Sequence, residues 1–76
     1  MERKEEELIL QYAPYDEELR TAYEEHNELK HRLESFRNKL YLTTDEELEK
    51  KRIQKLKLAS KDRIMAILHR HQHEAP

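Results

Sequence analysis

The sequence predicts an all-α protein: an antiparallel helical hairpin of two long helices with a short N-terminal helix and coiled-coil-like packing. Three observations predict it. Leu8, Tyr12, Tyr15, Leu19, Ala22, His26, Leu29, Leu33, Phe36 and Leu40 follow one another at alternating steps of four and three. That is the spacing of a helix packed along its length against another helix. A second helical run of similar length follows Thr43 and Thr44. Glycine is absent from all 76 residues, which removes the residue that positive-φ turns, phosphate-cradling loops and dinucleotide fingerprints need.

The elements follow in order. Residues 1–13 read as a short N-terminal helical segment, ended by Pro14. Inside a helix proline removes a backbone bond and clashes with the carbonyl four residues back, but it suits a first helical position. The hairpin then occupies residues 14–72, with helices over about 15–41 and 45–71 and a disordered tail over 73–76. Thr44-Asp45-Glu46-Glu47 reads as a capping box, and Thr43 with Glu46 forms the same box one residue earlier. At about 27 residues each, the long helices span roughly 40 Å, and so short a connection makes them antiparallel neighbours.

The predicted hairpin core is Leu19, His26, Leu29, Leu33, Phe36 and Leu40 from the first long helix, facing Ile53, Leu56, Ile64 and Ile67 from the second, with Ser60 in the same stripe. Leu58 and Met65, seven positions apart, project roughly opposite that stripe, and Leu68 lies between. These three make the candidate interaction face. The expected cover for Leu58 and Met65 is the N-terminal segment, with Leu8, Ile9, Leu10 and Tyr12; a second copy, a protein partner, or plain exposure of two isolated apolar side chains are the alternatives.

Charge is dense and unevenly placed. Charged residues are 42% of the chain and the net charge is −2. Residues 1–28 carry ten acids against three bases, net −7, while residues 50–63 carry seven bases against Asp62, net +6. Antiparallel folding sets the acidic start beside the later, basic run, which selects orientation more than it stabilises. Cysteine is absent, so disulfides, thiolate metal sites and a cysteine nucleophile are excluded. The opening Met1-Glu2-Arg3-Lys4-Glu5-Glu6-Glu7 lacks the apolar core of a signal peptide, and no stretch approaches membrane-spanning length. A soluble, cytoplasmic protein is the expectation.

Glu25-His26-Asn27-Glu28-Leu29, then Asp45-Glu46-Glu47-Leu48, then Ile53-Gln54-Lys55-Leu56-Lys57-Leu58-Ala59-Ser60-Lys61-Asp62-Arg63-Ile64 resemble the YdcH-like family of small bacterial helical-hairpin proteins, a domain of unknown function. The likeness covers about residues 19–68. Two positions depart from it: Ser60 stands where the family usually has leucine, and Arg63 where it has an acid. The resemblance implies a hairpin and a bacterial cytoplasmic setting, and no catalytic activity.

The candidate chemistry is thin. His26 sits on the seam, where it reads as a core histidine bonded across the hairpin, with a pH-sensitive ligand as the sharper alternative. His69, His71 and His73 form the one metal-like cluster, set against a solvated helix end that complements the dipole. The basic segment 50–63 could serve a nucleic-acid-associated protein, but its bases spread around the helix and no aromatic is interleaved for stacking. Ser35 and Ser60 come without an evident base or oxyanion hole. The expected role is a non-enzymatic interaction module that binds a protein partner or itself, with no cofactor and no membrane.

Overall fold

The structure is a computed structural model and describes residues 2–74. Those residues are helical apart from short connections. Helix α1 spans Arg3–Tyr12, a 3-10 turn covers Ala13–Tyr15, α2 spans Glu17–Arg37 and α3 spans Thr44–Glu74. The chain measures 51 × 19 × 17 Å.

Proline and an aspartate together set the first break. Pro14 sits in the opening of the 3-10 turn, where its missing N–H costs nothing. The Asp16 N–H donates to the Ala13 carbonyl at 3.3 Å, and Asp16 then turns extended at φ −135°. Its Oδ1 accepts from the Leu19 N–H at 3.1 Å, so Asp16 is the N-cap of α2. The helix thus starts at Glu17 and not at residue 15. Tyr15 leaves the seam and is exposed.

The second break is longer than the sequence suggests. α2 ends at Arg37, with Asn38 as its C-cap, and residues 38–43 are not helical. Leu40, expected in the hairpin core, is 95% exposed because no helix carries it back to the seam. The capping box is the earlier of the two. The Glu46 N–H donates to Thr43 Oγ1 at 3.1 Å, and the Thr43 N–H donates to Glu46 Oε1 at 3.2 Å. Lys39 Nζ also donates to Glu46, while standing 5.7 Å from the centre of the Phe36 ring. The Lys39 bond, with the Thr43 N–H behind it, holds the Glu46 carboxyl below the usual glutamate range. At its other end α3 runs past the expected stop. His73 and Glu74 continue the helix where a tail was expected, and residues 75–76 lie outside the described residues.

Helices α2 and α3 lie side by side. His71 meets Asp16, Arg70 meets Glu18, Ser60 meets His26 and Glu46 meets Lys39. Numbers rise along α2 as they fall along α3, so the two run in opposite directions. α1 folds back on both of them.

The core is concentrated where the three helices meet. Ile9, Leu19, Ala22, Ile64, Ile67 and Leu68 are buried together, with Leu8, Tyr12, Ala13, Tyr23 and Met65 packed around them. Leu68, expected on an interaction face, is only 2% exposed because α1 supplies a third layer there. Met65 is half-buried in the same cluster, whereas Leu58 remains 62% exposed. The N-terminal segment therefore reaches one of these two side chains and not the other. Its ten residues extend only about 15 Å, and Leu58 lies two turns further along α3.

Away from α1 there are only two layers. Ile53 is buried there, and Leu29, Leu33 and Phe36 are half-buried. Leu56, expected in the core, is 51% exposed. The α3 seam runs instead through Ile53, Lys57, Ser60, Ile64 and Ile67, an unbroken alternation of four and three. Lys57 is half-buried on it, lying its aliphatic stem along the seam as lysine can.

Candidate functional site

Two open grooves flank the α2–α3 seam, and one of them is lined in part by His26, the one buried polar side chain among the described residues. Its Nδ1 stands 2.9 Å from Ser60 Oγ, and Ser60 Oγ donates to the Lys57 carbonyl at 2.8 Å. The serine has one hydrogen, and Lys57 takes it. Nδ1–H must therefore donate to Oγ. Ser60 does have an imidazole neighbour, contrary to the sequence expectation, but the roles are the reverse of a base activating a nucleophile. The bond satisfies a buried polar pair and ties α2 to α3. Ser35 spends its hydroxyl on the Arg32 carbonyl at 2.6 Å.

The other ring nitrogen has a different outlook. Nε2 makes no hydrogen bond within the protein, and no fully buried side-chain nitrogen or oxygen among the described residues lacks a partner. His26 lines the first of the two grooves. Burial holds the His26 pKa below its ordinary value, the Lys57 ammonium and, less strongly, the Lys30 ammonium push the same way, and the Lys57 carbonyl pulls against them.

That groove is strongly basic. Lys30 and Arg37 from α2 and Lys50, Lys57 and Lys61 from α3 line it, against the single carboxylate of Glu34. Three of the seven bases in residues 50–63 thus share one side of α3, where the sequence reading had them spread around the helix. The groove on the other side is balanced. Glu25, Glu28, Arg32 and Arg63 edge it, with Leu29, Leu56 and Ala59 between them. Arg63 lies 3.8 Å from Glu18 and 4.0 Å from Glu25. No other base of segment 50–63 pairs with an acid among the described residues.

The histidines near the C-terminus do not converge. His71 Nε2 stands 2.6 Å from Asp16 Oδ2, and its ring stacks on Tyr12 with centroids 4.5 Å apart. His69 and His73 meet edge to face one turn apart, at 4.3 Å. Because the helix continues through them, His71 points some 200° away from His69. No group of three or more metal-ligating side chains stands together among the described residues. Asp16 is the residue that sequence reasoning missed. It caps α2, meets His71 and lies 4.0 Å from Arg70. The His71 bond is the main cause that lowers its pKa, assisted by the Leu19 N–H and opposed by partial burial. An aspartate two residues after proline was the available signal for a helix start.

A pH dependence follows from these shifts. His26 binds a proton less readily folded than unfolded, where its value is near 6.5. Its contribution is whole above that pH and is lost as pH falls below it toward the folded value. The melting temperature should decline between about pH 7 and pH 5, and His26→Gln should flatten that part of the curve. Asp16 acts in a lower window, because its stabilisation is present above 3.8 and lost as pH falls through its depressed folded value. Asp16→Ala should cost about 1–2 kcal/mol at neutral pH through the lost cap and should make the acid-side loss shallower, with Glu46 still contributing to it, both read by thermal melts.

Compared with known proteins, the chain matches no family model, no curated protein and no solved structure.

Proposed function

We propose that this chain is a non-enzymatic interaction module: an antiparallel helical hairpin with coiled-coil-like packing whose two-layer end associates with a second copy of itself. What carries the reading is the balanced groove, where Leu29, Leu56 and Ala59 lie between Glu25, Glu28, Arg32 and Arg63. A patch bearing both signs around an apolar strip is complementary to its own copy across a two-fold axis, as an isologous interface requires. The adjoining surface adds apolar area. Leu48 is 59% exposed and lies eleven positions, three turns, before Ala59 on the same side of α3. Exposed apolar side chains are ordinary one at a time, and become informative when they adjoin along one strip.

The alternative of an unrelated protein partner uses the same strip. The likeness to the YdcH-like hairpins rests on the motif residues alone and adds no activity. No helix among the described residues is long and apolar enough to cross a membrane.

Sedimentation velocity over a tenfold range of concentration tests the reading. The average mass should rise from one copy toward two. Leu56→Lys should hold it at one copy with unchanged helical circular dichroism, since Leu56 is already exposed and contributes little to the fold. A wild-type mass that stays at one copy throughout rejects self-association and leaves the strip to another protein.

A further inference from the structure

We propose that the basic groove is a binding site for a small anion carrying several phosphates, either free or as the phosphate chain of a nucleotide. The inference is independent of self-association, which uses the opposite side of the seam.

From the bonded pair Asp16–His71, each step up α2 is matched by a step down α3. That places Lys30 level with Lys57, and Arg37 level with Lys50. Two rungs of the helix pair, seven positions apart, are therefore cation against cation, and both line the groove. Like charges held across a shared groove repel, and none of these four makes an ion pair among the described residues. Glu34 is the one carboxylate on the groove against five bases, and Glu25, on the other side of the seam, lies 4.0 Å from Arg63. A hairpin selected for stability alone would place an acid in one of each pair, as it does at Glu18–Arg70. The uncompensated rungs are what an anion site needs before its ligand arrives.

The floor of the groove adds a second element. His26 lines it, and the ring is near enough to Lys57 and Lys30 for both ammoniums to depress its protonation. An anion seated between the lysines reverses that field, so His26 takes up a proton more readily and becomes another donor. The groove holds about 600 Å³, within the range of small-ligand sites, about 300–1,000 Å³. Lys, unlike Arg, serves phosphate as a mobile point charge.

The size and kind of ligand follow from what surrounds the site. No Phe, Tyr or Trp side chain lines the groove, so it offers no broad base-stacking platform. Beyond the groove the chain turns acidic, with ten acids against three bases in residues 1–28, which repels an extended polyanion. A compact multivalent phosphate fits both facts, and a nucleic-acid strand fits neither.

The test is an NMR titration of the full-length protein with tripolyphosphate, ATP and a thymidine oligonucleotide, at equal ionic strength set with sodium chloride. Tripolyphosphate and ATP should both shift the resonances of Lys30, Lys57 and His26 saturably and raise the His26 pKa. ATP shifting more residues than tripolyphosphate assigns the nucleotide, and equal footprints assign the bare phosphate chain. Lys30→Gln with Lys57→Gln should weaken binding about tenfold or more, each lost phosphate contact being worth a charge-assisted hydrogen bond. The same double variant should melt no lower than wild type without ligand, because it relieves a repulsive rung. Tripolyphosphate should raise the wild-type melting temperature and leave that of the variant almost unmoved. The proposal is overturned if tripolyphosphate leaves the His26 pKa unchanged, if the double variant binds as well as wild type, or if only the oligonucleotide binds.

Discussion

Leu19→Asp is expected to abolish cooperative melting, and Ile64→Asp to do the same from the opposite helix. Both side chains are fully buried in the cluster where the three helices meet. A chain of this length has a net stability of roughly 4–11 kcal/mol at 0.05–0.15 kcal/mol per residue. Removing a buried leucine or isoleucine side chain alone costs about 2–5 kcal/mol, and placing an unpaired carboxylate in the space adds several more. The total equals or exceeds what holds the fold. Circular dichroism should show loss of most helical signal and no sigmoidal melt. Leu33→Asp and Phe36→Asp should be milder, because both positions are half-buried in the two-layer region, where a carboxylate can turn to water. If the four substitutions prove equally damaging, the seam carries stability evenly along its length and the three-helix cluster has no privileged place.

The contrast between those pairs marks what the sequence could reveal. The α2 seam was legible at Leu19, Ala22, His26, Leu29, Leu33 and Phe36, because a strict alternation of four and three leaves one phase for a helix of 3.6 residues per turn. On α3 two phases fit. Ile53-Leu56-Ser60-Ile64 has the more apolar members, whereas Ile53-Lys57-Ser60-Ile64 keeps the alternation. Hydrophobicity pointed to Leu56, but the structure leaves Leu56 51% exposed and half-buries Lys57. Helix ends were less legible. Leu40 continues the apolar count, but Asn38 ends α2 and Thr43 takes up Glu46, so the chain leaves the helix two residues before Leu40. The three-layer region could not be read from periodicity at all. Which faces of α3 are covered depends on where α1 folds back, and that direction is set by the Pro14 turn and the Asp16 cap. The basic groove was hidden for a related reason. Lys30 and Arg37 lie on one helix, Lys50 and Lys57 on the other, and only the register between helices brings their side chains into one groove.

Deleting residues 1–13 should have the second-largest effect, and should separate the two ends of the molecule. The deletion removes Ile9, which is fully buried, together with Leu8 and Tyr12, which pack against the core. Full burial of an isoleucine side chain is worth about 1.5–3 kcal/mol, and the two half-buried neighbours bring the loss to roughly 3–6 kcal/mol. It also uncovers Leu68 and Met65, so a new apolar strip opens at this end of α3, and the Tyr12 ring leaves His71. The truncated protein should melt far below wild type and associate through the uncovered strip. Leu68→Lys within the truncation should suppress that association without restoring stability. His26 reports on the other end. Its bond to Ser60 and its place on the basic groove involve only α2 and α3, so any truncated protein that stays folded at low temperature should keep the His26 ring resonances of the full chain. A truncated protein that melts with the full chain and stays at one copy would mean that α1 is a passenger. In that case α2 and α3 alone would hold the fold, and the burial of Ile9 would contribute nothing to its stability.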